Sequence, residues 1–417
     1  MQKAVFGLAL CGLLTVVAAS SAQEWTRFHG PNGQGAVEGV DLPGTWSESD
    51  YNWKTKLPGI GHSSPVVWGN RVFLLSADPE TAERYVLAID AQSGAIVWNK
   101  NYPSEPHRLH ARSSYASCTP AVDAEHVYVA WSTPKQTLLK AFDHNGNEVW
   151  SNDLGRWQSQ HGFGTSPILY KNMVILHNSQ QANQLEEGEK PGESFMMAFD
   201  RKTGEEIWRT PRASVNVCYC VPCIYQPENG PAELICASTA DGMFSLDPET
   251  GKENWRFVAF DKRVVSSPII AGGLIFGSTG SGGGGNSVAA IKPGKSPELA
   301  YQVKTQAPYV PTMVAKDDLI FLWYDKGIVS CLDAATGNVH WRERIGGDFS
   351  GSPIRVGDKL YCLDGDGTVV VLKADKTFEQ IGRNPLGEDS RSTPAVANGR
   401  IYFRTYSHLI SLGGKST

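Results

Sequence analysis

The sequence predicts an all-β chain folded as an eight-bladed propeller of four-stranded antiparallel blades, and three observations lead there. A proline-marked strand start recurs eight times, and a turn motif ending in tryptophan recurs between those starts. The 43 glycines and 24 prolines are spread along all 417 residues rather than pooled in one tract. Self-similarity at a period of about 40 to 50 residues marks a repeat architecture in which each repeat is one supersecondary unit.

The strand start is a small or polar residue, Pro, two mostly apolar residues, a short polar turn, and then a β-branched or aromatic run. Its first copy is Ser64-Pro65-Val66-Val67 ahead of Arg71-Val72-Phe73-Leu74-Leu75. Further copies stand at Thr119-Pro120, Ser166-Pro167, Val221-Pro222, Ser267-Pro268, Val310-Pro311, Ser352-Pro353 and Thr393-Pro394. Eight starts imply eight blades.

The second element is A-x-D-x-x-[ST]-G-x-x-x-W. It is complete from Ala88 to Trp98 and from Ala198 to Trp208; Ser245 to Trp255 and Cys331 to Trp341 lack only the first alanine, and Ala141 to Trp150 is one residue shorter. Asp caps the backbone two residues on, Thr or Ser does so more weakly, and Gly supplies the left-handed residue that closes a hairpin through a bulge. The tryptophans Trp98, Trp150, Trp208, Trp255 and Trp341 then lie on the following strand, where a large flat ring fills the wedge between neighbouring sheets. Blade five keeps Ala290, Ile291 and Gly294 with Tyr301 in the tryptophan position, and blade seven keeps Asp375 and Phe378.

The last blade stops at Leu412, one strand short, which would leave an open edge. The segment from Trp46 to Leu57, with Asn52-Trp53-Lys54, has the character of the missing strand and is expected to close the ring by completing blade eight.

Ahead of the repeats, Met1-Gln2-Lys3, an apolar run from Ala4 to Ala19 and Ser20-Ser21-Ala22 read as a signal peptide over residues 1–22. The run is about 16 residues long, short of the roughly 20 that cross a bilayer. Residues 23–417 are then one domain, exported to the periplasm or cell envelope, with no transmembrane segment expected in the mature chain. The 38 basic and 43 acidic residues are intermixed at a net charge of -5, which leaves no basic stripe for phosphates and argues against nucleic acid.

The A-x-D-x-x-T-G-x-x-x-W motif, the Ser-Pro strands and the eight blades resemble the propellers of the pyrroloquinoline-quinone (PQQ) dehydrogenase-type superfamily, and the likeness runs from about Trp25 to Leu412. The opening Trp25-Thr26-Arg27-Phe28-His29-Gly30-Pro31-Asn32-Gly33-Gln34-Gly35 is similar to that of exported bacterial PQQ-like repeat proteins. That superfamily implies two different roles. Its dehydrogenases hold PQQ and calcium, whereas its outer-membrane assembly propeller binds protein partners without a cofactor. The adjacent-cysteine disulfide common in the alcohol dehydrogenases has no counterpart here, and neither does C-x-x-C-H for a c-type haem. A binding or scaffolding propeller with no evident catalytic site and no cofactor is therefore expected. The alternatives are a PQQ- and calcium-dependent oxidoreductase acting on alcohols or sugars, with a channel-mouth carboxylate such as Asp348 holding calcium, and a hydrolase or lyase on the same ring.

Candidate functional residues follow from position. His62, Tyr115, His161, Asn216, Arg263, Tyr309, Asp348 and Arg391 each lie just before an innermost strand, and such connections line one mouth of a propeller channel. Together they offer a surface for a small ligand or for an envelope or secreted partner protein; as ordinary polar loop residues they would have no such role. Cys218, Cys220, Cys223 and Cys236 have the residue types of a four-sulfur metal site but poor spacing for one. Buried structural thiols are the favoured reading, with no metal assigned and a metal or a disulfide such as Cys223 to Cys236 as alternatives. His107 to His110 reads as a solvated inter-blade loop, Gln180 to Glu193 as an acidic surface loop, and Gly280 to Gly285 as a hairpin tip. No G-x-S-x-G or H-E-x-x-H signature is present.

Overall fold

The computed structural model describes residues 24–414 apart from 134 and 160; the expected signal segment at 1–22 lies outside the described residues. The repeats fold as eight separate sheets, each built on four antiparallel strands, one of them extended by a short fifth strand. Blade one is typical: Val66–Trp68 lies innermost, followed outward by Arg71–Ala77, Arg84–Asp90 and Ile96–Tyr102. Its second strand is buried along nearly its whole length, while most of the outer strand is exposed. The predominantly apolar middle strands are what a sheet needs when it is packed between two others. No helix among the described residues is long and apolar enough to cross a membrane.

The turn motif acts as expected, and its glycine also does a second job. In blade one, Asp90 Oδ1 accepts the backbone N–H groups of Gln92 and Ser93, and Gly94 N–H closes the turn onto Asp90 O at 2.8 Å. The register then shifts between Ala88 and Ile89, which is the anticipated bulge. Gly146 of blade two has φ 82°, and a Cβ there would lie 2.9 Å from the Trp98 ring of blade one. Trp98 Nε1 donates to His144 O in that same turn. Trp150, Trp208 and Trp341 likewise donate to Arg201 O, Pro248 O and Asp375 O of the following blade. Each tryptophan thus keys its blade onto the next turn. Trp255 instead donates to Glu233 Oε2 of its own blade, where the motif of blade five is eroded.

The ring closes as the sequence predicts. Tyr51–Lys56 pairs antiparallel with His408–Gly413 and completes blade eight, and Trp53 Nε1 donates to Ala91 O of blade one. A second closure was not legible in the repeats. Seven backbone N–H groups at the heads of the inner strands each donate to a hydroxyl of the next blade: Ser64 to Thr119, Thr119 to Ser166, Val221 to Ser267, Ser267 to Thr312, Thr312 to Ser352, Ser352 to Thr393 and Thr393 to Ser64, at 2.9–3.1 Å. This belt passes through all eight blades and lacks a hydroxyl only where Val221 faces Ser166. It also corrects one register. The strand start of blade six is Thr312-Met313 ahead of Val314–Lys316, two residues after the expected Val310-Pro311, because methionine replaces the marker proline.

Candidate functional site

The inner strands surround a channel, and the two ends of that channel differ. At the end where those strands finish, the segment from Trp25 to Val37 crosses it. Trp25 pairs with Val67, Thr26 O accepts Val122 N–H, the Arg27 guanidinium donates to Pro222 O at 2.7 Å, and the Asn32 amide exchanges two bonds with Ile224. Gln34 accepts Ile270 N–H, and Ala36–Val37 adds a parallel strand to blade seven. Phe28 from this segment faces the cavity. The residues that carried the family resemblance therefore form a stopper bonded to five blades.

At the other end lies a cavity of about 460 Å³. The hydroxyl belt lines its wall with Ser64, Thr119, Ser166, Ser352 and Thr393. Of the eight expected mouth residues, five line it: His62, His161, Arg263, Tyr309 and Arg391. Tyr115 instead faces a smaller neighbouring cavity, where its hydroxyl donates to His107 O at 2.6 Å and the Arg84 guanidinium lies over its ring. Asp348 stands at the rim in an ion pair with Arg112 at 3.0 Å, and Asn216 lines neither cavity.

Arg112 and His110 do line the cavity and were not foreseen. In the loop from His107 to His110, Arg108 and His110 are exposed while His107 and Leu109 are half-buried, and it folds back over the mouth so that the His110 ring meets that of His161 edge-on at 4.5 Å. Only the distance between blades two and three brings that contact about, so spacing within the loop gave no sign of it.

The electrostatics are one-sided. Burial, reinforced by Arg404 and Arg391, holds His62 down to about 3; burial with Arg263 and His110 holds His161 at about 4. Both imidazoles are neutral at pH 7, and His161 Nε2 accepts from the Arg263 guanidinium at 2.8 Å. Arg263 Nε also donates to Val217 O, and Arg391 Nε to Tyr406 Oη. Among the described residues neither arginine has a carboxylate partner, and no carboxylate lines the cavity. Calcium requires six to eight oxygen ligands rich in carboxylate. A wall of hydroxyls, imidazoles and guanidiniums offers it no carboxylate, and Asp348, considered for that role, pairs with Arg112 outside the cavity.

The seven cysteines among the described residues are buried and unpaired. The closest approach is Cys220 to Cys236, at 3.4 Å between sulfurs, not the Cys223 to Cys236 pair considered from sequence, and His177 stands beside them.

Comparison with known proteins agrees with this architecture. The family model described as outer membrane protein assembly factor BamB matches residues 82–218, 197–315, 302–380 and 325–413. The crystal structure of BamB from Moraxella catarrhalis superposes with a TM-score of 0.62 at 14% identity, covering 87% of this chain and 98% of that one. A europium-containing methanol dehydrogenase superposes at 0.67 with 13% identity, covering 92% and 90%. Identities this low show the fold alone. A curated relative, tetrathionate hydrolase of Acidithiobacillus ferrooxidans, is 23% identical over 240 residues, 54% of this chain and 42% of that protein, so the match spans less than half of the relative's length.

Proposed function

The chain belongs to the family of outer membrane protein assembly factor BamB, and from that premise we propose that it is an exported binding propeller of the cell envelope whose channel mouth takes an oxyanion. The oxyanion is a carboxylate or a comparable group, carried by a partner protein or by a small acid. One observation supports this reading above the others. Every charged side chain lining the cavity is cationic, and two of the three guanidiniums, Arg263 and Arg391, have no counter-ion among the described residues.

A carboxylate about 4 Å from a guanidinium gains roughly 1 kcal/mol in bulk water and about 4 kcal/mol at the effective dielectric of a partly buried site. The planar fork of arginine adds directional bonds to such a group. His62 and His161, being neutral, can offer an oxyanion a ring N–H rather than a charge. The stopper at the opposite end makes the channel a blind recess, so a ligand enters and leaves by the basic mouth. The reading assigns no catalytic residue. The tetrathionate in the name of the curated relative is itself a sulfur oxyanion, which favours the same ligand class for the aligned part of the chain.

The test is calorimetric titration of the mature protein with citrate, tetrathionate and a hexaglutamate peptide. At least one is expected to bind with an affinity that falls as salt is added, and an Arg263→Ala, Arg391→Ala double variant should weaken it tenfold or more. Asp348→Ala, which frees Arg112, should tighten it. Equal binding by the double variant, or preference for a hexalysine peptide, would overturn the proposal.

A further inference from the structure

Between blades three and four, three potential metal ligands meet in the core. His177 comes from Met173–Asn178, Cys236 from Glu233–Ser238, and Cys220 from the connection leading into Cys223–Tyr225. All three are fully buried. His177 Nδ1 lies 3.3 Å from Cys236 Sγ and 3.8 Å from Cys220 Sγ, and the two sulfurs are 3.4 Å apart.

Those three lengths match the edges of a coordination tetrahedron. With zinc–sulfur bonds of about 2.3 Å and zinc–nitrogen bonds of about 2.0–2.1 Å, tetrahedral angles place two sulfurs about 3.8 Å apart and sulfur and nitrogen about 3.5 Å apart. The observed edges agree to within a few tenths of an ångström, so the ion needs little rearrangement.

A second observation concerns the imidazole. His177 Nε2 is buried without a hydrogen-bond partner, and Nδ1 faces only the two sulfurs. Thiols are weak donors, so as the fold stands a fully buried polar ring is poorly compensated, which is costly. A metal on Nδ1 would give that nitrogen a strong partner in place of two weak donors.

Charge supports the same donor set. A divalent ion, two thiolates and a neutral imidazole sum to zero, which suits a buried site, and the fourth tetrahedral position is open to a water or backbone oxygen. We propose that His177, Cys220 and Cys236 bind one thiophilic divalent ion, zinc, and thereby pin blade three to blade four. This join is the one where Val221 interrupts the hydroxyl belt. The ion there takes over the ring-closing task that a hydroxyl performs elsewhere.

The experiment uses the full mature chain, reduced and stripped of metal, titrated with zinc against a chromophoric chelator. One equivalent is expected to bind. Cobalt should give thiolate-to-metal charge-transfer absorption, and X-ray absorption on the zinc-loaded protein should show two sulfurs and at least one nitrogen. Cys220→Ser and Cys236→Ser should each weaken binding tenfold or more, while Cys223→Ser, outside the donor set, should not. Because a core serine could impair folding, the absorption data on the unaltered protein stand as an independent readout. No zinc uptake with all thiols free, a zinc shell without sulfur, or a Cys220 to Cys236 disulfide in protein isolated from the envelope without reductant would each overturn the proposal.

Discussion

The hydroxyl belt makes ring closure a measurable quantity. Ser64, Ser267 and Ser352 are buried, and each accepts the backbone N–H of a neighbouring blade: Thr393 at 3.0 Å, Val221 at 2.9 Å and Thr312 at 2.9 Å. Serine to alanine at each site leaves that N–H buried with its acceptor gone, which costs about 1–3 kcal/mol. The three sites lie in blades one, five and seven and each change orphans a different N–H, so their effects should add to roughly 3–9 kcal/mol. With an unfolding entropy of about 2 cal/mol/K per residue over about 390 residues, each kcal/mol is worth roughly 1 °C, and the triple variant should melt roughly 4–11 °C lower. Calorimetry or circular dichroism at constant scan rate measures this. Val221→Thr restores the missing acceptor opposite Ser166 and should leave stability unchanged or raise it. A triple variant that melts within about 1 °C of the parent would show that the belt contributes nothing and that blade packing alone closes the ring.

Acid should destabilise the protein through His62. Its pKa is about 3 in the fold against the ordinary 6.5 when unfolded, so between those values only the unfolded chain carries the proton. Its contribution to stability is complete above pH 6.5 and is lost as pH falls toward 3, by up to about 1.4 kcal/mol per pH unit. Urea melts at pH 7.5, 5.5 and 4.5 should show that slope, and His62→Gln should flatten it; an unchanged slope would exclude His62 as the cause. Trp208, 8% exposed and resting on Gly251, should cost about 3–5 kcal/mol when replaced by alanine, more than the half-buried Trp98, as read by chemical denaturation. Equal losses at the two sites would contradict the keyed-blade account.

What could be read from the sequence depended on repetition. The period, the bulged turns, the tryptophan keys and the closing strand recur or complete a recurring pattern, so one copy explains the others. Features that occur once were hidden or misplaced. Met313 replaced the proline that marked its seven sister strands, and the register of blade six was placed two residues early. The stopper from Trp25 to Val37 holds the blades through main-chain bonds and through the single side chains of Arg27, Asn32 and Gln34, none of which recurs along the chain, so its residues were legible only as a family likeness. His177 is 43 residues from Cys220 along the chain, on a strand whose apolar pattern it interrupts by a single residue. His110 reaches the mouth by a fold of the loop that no spacing encodes. The mouth residues were found by topology, because whatever precedes an inner strand must stand at one end of the channel.

The central claim is that the basic mouth takes an oxyanion without calcium-dependent quinone chemistry. Its most direct test is titration of the mature protein with PQQ, with and without calcium, followed by dye-linked reduction with a panel of alcohols and sugars. The account predicts that any binding of this tricarboxylate is unaffected by calcium, weakens with salt and with loss of Arg263 and Arg391, and is accompanied by no dye reduction. Stoichiometric, calcium-dependent binding with substrate-dependent dye reduction would contradict it and make the propeller an oxidoreductase.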